Sequence, residues 1–531
     1  MAELILGVAG LLVGVPGLLQ VIGSLADTVL QRVKHYDEDY QRRLELVITI
    51  NKSQMQEIFL FLDDGQAVPV ALNDEVVRMF QILRNIFERL LNIFPSVGLG
   101  NQISQRMKIS ASMKVKLDSE IRELEEWSSR IFIRTLVFVM FGGQKVPNTI
   151  PTDSEDGYEA AALRKVERLR DAVDQSLGRI KQAPQLLLCR PDEPDDRHPL
   201  SNSSLELSTP KDTDKKAFIV EYRTYNDDAR EQEINYQRQI VREVARILHQ
   251  ADPRFMGLLQ SDGFLCDPLK NRFELHFPFP PGSRNPRTLL DLLCDPGNRR
   301  LGVRHPLNQR IGLAKSIVTA LFVLHAANFV HKQIRPDNVL VFDREHASLD
   351  SSVNSGAREA TSDKQTYPYV LGGPFLVGFD NVRKVDAASL MMPVEDWKRN
   401  IYLCPERQRL QPGDEFRMQH DIYSLGVVLL EIAFWASFQD RKSPQLGRRI
   451  WKDESQSILC GPEELKKIYL ALATGAVPRL MGQKYADAVL ACLTGLESEV
   501  GDKRNYEDSD GIIVGTKYVM EVVKKLEEIS M

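Results

Sequence analysis

The sequence predicts a multidomain protein, with an all-α helical bundle followed by a mixed α+β domain. Three observations carry that expectation. Apolar residues recur at helical three–four spacing through most of residues 1–182. A stretch rich in Pro, Asp and Ser, RPDEPDDRHPLSNSSLELSTPKDTDKK, then reads as part of a linker over 183–216. From Ala217 short β-like runs appear, AFIVEYRTY and later FELHFPF, before helical texture returns after Leu289. A chain of 531 residues has room for two large or about three ordinary domains.

Composition excludes several classes. With 43% apolar and 27% charged residues, the chain is neither wholly disordered, collagenous nor a many-span membrane protein. The 68 Lys and Arg against 73 Asp and Glu leave a net charge of −5, so no global field for nucleic acid is expected. Cys189, Cys266, Cys294, Cys404, Cys460 and Cys492 lie far apart with no Cys-x-x-Cys pair. That argues against zinc ribbons and redox motifs, and fits the reduced thiols of a cytoplasmic protein.

The first element is ILGVAGLLVGVPGLLQVI, Ile5 to Ile22, near the lower length limit for a membrane span. A signal peptide would place a basic region before the apolar stretch; here only Glu3 precedes it, and Arg32 and Lys34 follow. Three readings stay open: a buried first helix of a bundle, a helix that inserts into a membrane only after release, or a cleaved or permanent anchor. Tyr40 to Leu62 predicts a second helix. Asn73 reads as the N-cap of a third, with Asp74 and Glu75 in its first turn. Val76, Phe80, Leu83, Phe87, Leu90 and Leu91 form its apolar stripe. Leu117 to Phe141 predicts a fourth, with Leu124, Trp127, Ile131 and Leu136 near its apolar side, and Glu155 to Gln182 a charged connecting helix. Breaks at 63–72 and 95–110 make the set a bundle. Beyond the linker, a charged helix is expected from about Ala229 to His249, and residues 345–366 read as a polar surface insertion.

The second half carries a string of motifs in a recognisable order. His331-Lys332-Gln333-Ile334-Arg335-Pro336-Asp337-Asn338 follows a helix ending Leu324-His325. Phe375-Leu376-Val377-Gly378-Phe379-Asp380, Tyr402-Leu403-Cys404-Pro405-Glu406 and Asp421-Ile422-Tyr423-Ser424-Leu425-Gly426 come next. In order and spacing these resemble the protein-kinase catalytic loop, Asp-Phe-Gly triplet, Ala-Pro-Glu motif and large C-lobe helix. The resemblance implies a bilobal α+β protein-kinase-like fold over 217–531, with Arg242-Glu243-Val244 on its αC helix.

The departures bear on chemistry. Phosphoryl transfer needs a carboxylate at the substrate hydroxyl, a lysine on the phosphates, and an aspartate and an amide on Mg²⁺. The base position is Gln333, and an amide holds no proton for a hydroxyl. The following lysine is Arg335, and the metal aspartate is Gly378. The ATP-lysine strand reads Val220-Glu221-Tyr222-Arg223, which offers Glu221 or Arg223 but no Lys. No Gly-x-Gly-x-x-Gly run occurs between 183 and 223. Asn338 remains, but one neutral amide does not hold a Mg²⁺ that wants charged oxygen ligands; Phe379 and Asp380 complete the altered triplet after Gly378. His331, Phe379, Pro405, Glu406, Asp421 and Gly426 match positions that build the kinase core. The resemblance therefore implies a pseudokinase: no catalytic residue, no metal and no cofactor expected. Residual ATP binding is the alternative, through the weak candidates Arg223, Glu243, Asn338 and Asp380. In the counter-reading, an atypical active Ser/Thr kinase uses Asp380 for metal and Asp337 as base. Glu243 could pair with Arg223 in place of the usual Lys–Glu pair, or be an exposed helix glutamate.

The N-terminal stretch through Val33, followed by Tyr40-Gln41-Arg42-Arg43-Leu44, resembles the start of fungal HeLo and HeLo-like domains. Members are helical bundles, some of them membrane-permeabilising executors of programmed cell death and heterokaryon incompatibility. Bundle followed by pseudokinase is also similar in architecture to the animal mixed-lineage kinase domain-like protein. The resemblance implies an effector bundle in which Ile5, Val8, Leu11, Leu12, Val15, Leu18, Leu19 and Ile22 move from core to lipid. Protein partners, homo-oligomers and relocation from cytoplasm to plasma membrane would follow. The alternative is a soluble interaction scaffold without membrane activity. Asp37, Glu38 and Asp39 beside Arg32, Lys34, Arg42 and Arg43 make a mixed surface, so no strong pull to anionic lipid is expected. Gly511 to Met531 reads as a final helix and not as an amyloid-type signalling motif.

Overall fold

The computed structural model describes residues 15–36, 38–63, 70–94, 110–141, 196–209, 217–253, 256–297, 305–344, 369–384, 396–408, 416–443, 445–451, 461–496, 514 and 517–529. The chain divides into two compact units, Met1–Arg170 and Asp171–Met531. The first is helical; the second mixes helices with antiparallel sheets.

In the first unit the described helices are α1 (Val15–Val33), α2 (Glu38–Asp63), α3 (Val70–Ile93) and α4 (Ala111–Phe141). Helix α1 packs on α2 and α3, and α4 packs on the same two helices. Ile22, Ala26, Val29 and Val33 repeat at four–three–four spacing and are fully buried. Across from them Val76, Phe80, Leu83, Phe87 and Leu90 of α3 are buried as predicted, while Leu91 is half-buried. Each large apolar side chain in this seam gains about 1.5–3 kcal/mol by leaving water. Leu124 and Ile131 of α4 are buried; Trp127 is half-buried, with the Arg130 guanidinium 4.3 Å from its ring centre.

Two features of this unit differ from expectation or sharpen it. Helix α3 starts at Val70, so Asn73 and Asp74 lie inside it and Asn73 is not the cap. Ala71 and Leu72 are strong helix formers, and nothing between Val70 and Asn73 breaks the run. Two of the basic residues near α1, Arg32 and Arg43, are also engaged within the bundle. Arg32 Nη1 donates to the Leu91 and Phe94 carbonyls at 3.0 and 2.7 Å, satisfying the C-terminus of α3. Arg43 forms a two-pronged pair with Glu125 at 2.8 and 2.9 Å, and Arg42 pairs with Glu38 at 3.3 Å.

In the second unit one sheet runs β1 (Asp196–Pro199), β2 (Glu206–Thr209), β3 (Phe218–Thr224), β5 (Arg272–Pro278), β4 (Gly263–Asp267), with every neighbour antiparallel. Strands β1 and β2 fall inside the stretch expected as linker, so residues 196–209 are a hairpin. Leu205 and Ser208 bury into the sheet, and Arg197 Nη1 reaches Tyr222 Oη and both Glu274 oxygens at 3.1 Å. Pro199 is tolerated because β1 is an edge strand. Helix α5 (Glu231–His249) lies against β4 and β5.

A second sheet orders β6 (Ser283–Thr288), β8 (Val339–Arg344) and β9 (Gly373–Leu376), and β7 (Phe329–Val330) pairs with β10 (Arg383–Lys384). Short α6 (Leu289–Cys294) follows β6. Helices α7 (Leu307–Ala326), α8 (Met418–Phe434), α9 (Pro462–Gly475) and α10 (Gln483–Leu493) build an apolar helical layer. Gly426 lets α8 approach α10: a Cβ there would lie 2.9 Å from Cys492 Cβ. Among the described residues one helix, α7, is long and apolar enough to cross a membrane, and 67% of its apolar window is buried. The remaining sequence expectations for Ile5, Val8, Leu11, Leu12, the 155–182 helix and the 345–366 insertion lie outside the described residues.

Candidate functional site

The motif residues of the second unit converge on the segment from His331 to Asn338 and the turn Gly378–Asn381. Asp421, at the start of α8, anchors the first segment. It is fully buried and accepts the His331 and Lys332 backbone N–H groups at 2.6 and 2.7 Å, with His325 Nε2 at 3.2 Å. That bridge holds Lys332 at φ 69°, an uncommon conformation for a non-glycine residue.

His331 links the two segments. Its Nδ1 accepts the Gln333 N–H at 3.3 Å, so Nε2 carries the proton and donates to the Val377 carbonyl at 2.9 Å. Burial holds its pKa down to about 4, and the ring meets Phe379 edge-on with centres 5.5 Å apart. Phe379 is buried and also faces Phe277.

Gln333, Arg335, Asn338 and Asp380 form one closed polar network. Gln333 Nε2 donates to Asp380 Oδ2 at 3.2 Å, and Gln333 Oε1 accepts from Arg335 Nη2 at 3.1 Å. Asn338 Nδ2 donates to the Gln333 carbonyl at 2.8 Å. Asp380 also accepts from Asn381 Nδ2 at 2.8 Å. Burial raises the Asp380 pKa, against the Arg223 and Arg335 charges that lower it. Asp337, the other carboxylate of the counter-reading, is engaged by Arg335 at 2.9 Å. Its pKa is likewise raised by burial, opposed first by Arg335.

Gly378 leaves no room for a larger residue. Its φ is 89°, and a Cβ there would lie 2.4 Å from Asn338 Cγ and 2.6 Å from Nδ2. The Asn338 amide thus fills the space a metal-ligating side chain at 378 would need.

Strand β3 faces this turn with both residues that the sequence left as alternatives. Period-two alternation puts Glu221 and Arg223 on one face. Glu221 is 1% exposed and accepts the Gly378 N–H at 3.1 Å. Burial, with Asp380 nearby, pushes its pKa up to about 8, so the neutral acid is the main form at pH 7. Arg223 Nη1 donates to the Val382 carbonyl at 2.8 Å. Asp380 is the carboxylate that acts most strongly on it, and Glu243 is not among the charges that do; Glu243 is buried, so neither alternative for it, a partner of Arg223 or an exposed glutamate, describes it. Glu243 instead accepts from Gln239 on its own helix at 3.2 Å. The β1–β2 loop, Leu200–Leu205, contains no glycine, and Asn202 takes the positive φ of 52°. Its tip is tied to α6 by Ser201 Oγ and Asn202 Nδ2, which reach Asp291 Oδ1 at 3.1 and 2.6 Å.

The remaining predicted residues lie in the first unit. Ile22 is fully buried, Leu18 and Leu19 are half-buried, and Val15 begins α1. One group of potential metal ligands occurs among the described residues, Cys404, Glu406 and His420, with ligand atoms within 4.8 Å. His420 Nδ1 accepts the Arg417 N–H at 2.9 Å, which places the ring proton on Nε2, the nitrogen facing Glu406. A metal on Nε2 would turn Nδ1 into a second donor against that N–H, so this set is poorly suited to a cation.

Glu221 is the functional residue that sequence reasoning left undecided, and the hairpin loop is the one it missed. A carboxylate between Val220 and Tyr222 in an apolar strand was the available signal for the first. No family model matches the chain, and no curated protein matches it.

Proposed function

We propose that the second unit is a kinase-like module without phosphotransferase activity, and that it controls a helical effector bundle in the first. The observation that carries the reading is the closed network at Gln333, Arg335, Asn338 and Asp380 around Gly378. Where the kinase pattern needs a base, a phosphate lysine and a metal aspartate, the chain has an amide, a buried carboxylic acid and a glycine blocked by Asn338. Glu221 favours this reading electrostatically, since an acid facing the triplet would not attract phosphate. The pinned Ser-Asn loop favours it too, since glycine-free backbone tied to Asp291 is not free to wrap phosphates. Core-building positions keep their work: Asp421 anchors the loop and Phe379 fills the interior. Asp337 and Asp380 are both held by Arg335 or Gln333, which disfavours their use in an active kinase.

In this reading the bundle is the output, in a cell-death or non-self response with a homo-oligomer at the plasma membrane. Ile22, Ala26, Val29 and Val33 gain about as much from a bundle core as from lipid, so a modest bias suffices to exchange one for the other. The same burial supports the scaffold alternative, in which α1 never leaves. Dye release from liposomes by the full chain and by residues 1–182 separates the two. Release by the fragment, lost with Leu11→Glu/Leu12→Glu and absent in the full chain, is the expected result. A folded helical fragment that releases nothing moves the assignment to the scaffold.

A further inference from the structure

A cavity of about 380 Å³ opens on one face of α5, lined by Asn235, Arg238, Gln239, Arg242, Glu243 and Arg246. All six of these described residues are polar, which suits a polar ligand. Arg238, Arg242 and Arg246 stand at four-residue steps, each about 6 Å along the helix from the last. Like charges at this spacing weaken a helix, so the arrangement has a cost that some other interaction would offset. Elsewhere arginines meet carboxylates, as Arg43 meets Glu125 and Arg89 meets Glu120 and Glu123. On α5 the provision is thinner. Arg238 Nη1 reaches the neutral Asn235 amide oxygen at 3.0 Å, Arg242 is exposed, and Arg246 Nε is buried without a hydrogen-bond partner. Among the described residues that line the cavity, three guanidinium groups share one carboxylate, Glu243, which acts on Arg246 and already accepts from Gln239.

We propose that this cavity binds a small soluble polyphosphate anion, with adjacent phosphoryl groups held by successive arginines. A guanidinium fork matches phosphate oxygens two at a time, and three forks in a row fit linked phosphates better than a single one. The volume lies within the range of about 300–1,000 Å³ typical of small-ligand sites. The described lining shares no residue with the Gln333–Asp380 network, and anion binding by arginines needs no Mg²⁺, so the test stands apart from the question of catalysis.

The test is calorimetric titration of the full chain with tripolyphosphate, in EDTA and at about 0.15 M salt. Saturable one-to-one binding is expected. Arg238→Gln/Arg242→Gln, neither of them a buried residue, should weaken it roughly tenfold or more, about 1.4 kcal/mol. Arg448→Gln/Arg449→Gln, two exposed arginines of the short Gly447–Ile450 helix that do not line the cavity, should leave it unchanged. Absence of binding overturns the proposal, as does equal weakening by both variants, which would mean a general charge effect. Vesicles carrying a phosphoinositide form the second arm. Binding to them that is lost in Arg238→Gln/Arg242→Gln, without tripolyphosphate binding, would also overturn it, in favour of a lipid headgroup.

Discussion

Replacing Gly378 by aspartate would restore the metal ligand of the kinase pattern on paper, yet the structure predicts damage. At φ 89° any side chain is strained, which costs about 1–3 kcal/mol. The new Cβ would lie 2.4 Å from Asn338 Cγ, closer than real contacts allow, and overpacking of this kind costs about 1–3 kcal/mol. Together the loss is about 2–6 kcal/mol before any repulsion from Asp380. In a unit of this size that corresponds to a fall in melting temperature of roughly 3–8 °C. The assay is thermal unfolding of the full chain by circular dichroism, with and without Mg²⁺ and ATP. Gly378→Ala should show most of the loss. Asn338→Ala combined with Gly378→Asp should recover part of it, through a coupling of about 1 kcal/mol or more between touching residues. An unchanged melting temperature for Gly378→Asp, or a gain of Mg²⁺-dependent ATP stabilisation, would refute the reasoning.

Other consequences follow from the same geometry. The Glu221 pKa is raised to about 8, so its stabilising contribution is full below about pH 4.5 and is lost as pH rises through 8. Glu221→Gln should therefore melt with its parent at pH 5 and above it at pH 8.5; identical profiles would contradict a buried neutral acid. Asp421→Ala leaves the His331 and Lys332 N–H groups without their acceptor and should cost about 3 kcal/mol or more, seen as faster hydrogen exchange at those two amides. Ile22→Ala in the fully buried seam of α1 should cost about 2–5 kcal/mol of bundle stability by urea unfolding, whereas the same change at exposed Val21 should cost far less.

Much of the bundle was legible because its helices are long and the apolar stripe of α3 repeats at every turn. The kinase-like motifs also led directly to the residues that converge, since Asp421, His331 and Phe379 meet as neighbours. What was not legible depended on tertiary contacts. Strands β1 and β2 are four residues each, too short for a periodic signal, and they exist because β2 pairs with β3 and Arg197 finds partners on β3 and β5. Glu221 and Arg223 could not be ranked from sequence, because alternation puts both on one face and only depth distinguishes them. The Asn73 cap failed for a local reason: the favourable propensity of Ala71 and Leu72 carried the helix past an acceptable start signal. The filling of Gly378 by Asn338 joins residues forty positions apart and has no sequence signature.

The most direct measurement is titration of the purified full chain with ATP in the presence of Mg²⁺, followed by an assay for phosphate transfer to itself and to a generic protein substrate. No Mg²⁺-dependent binding and no transfer is the expected result. Saturable Mg²⁺-dependent binding with transfer, both abolished by Asp380→Ala, would contradict the proposal that the module lacks phosphotransferase activity.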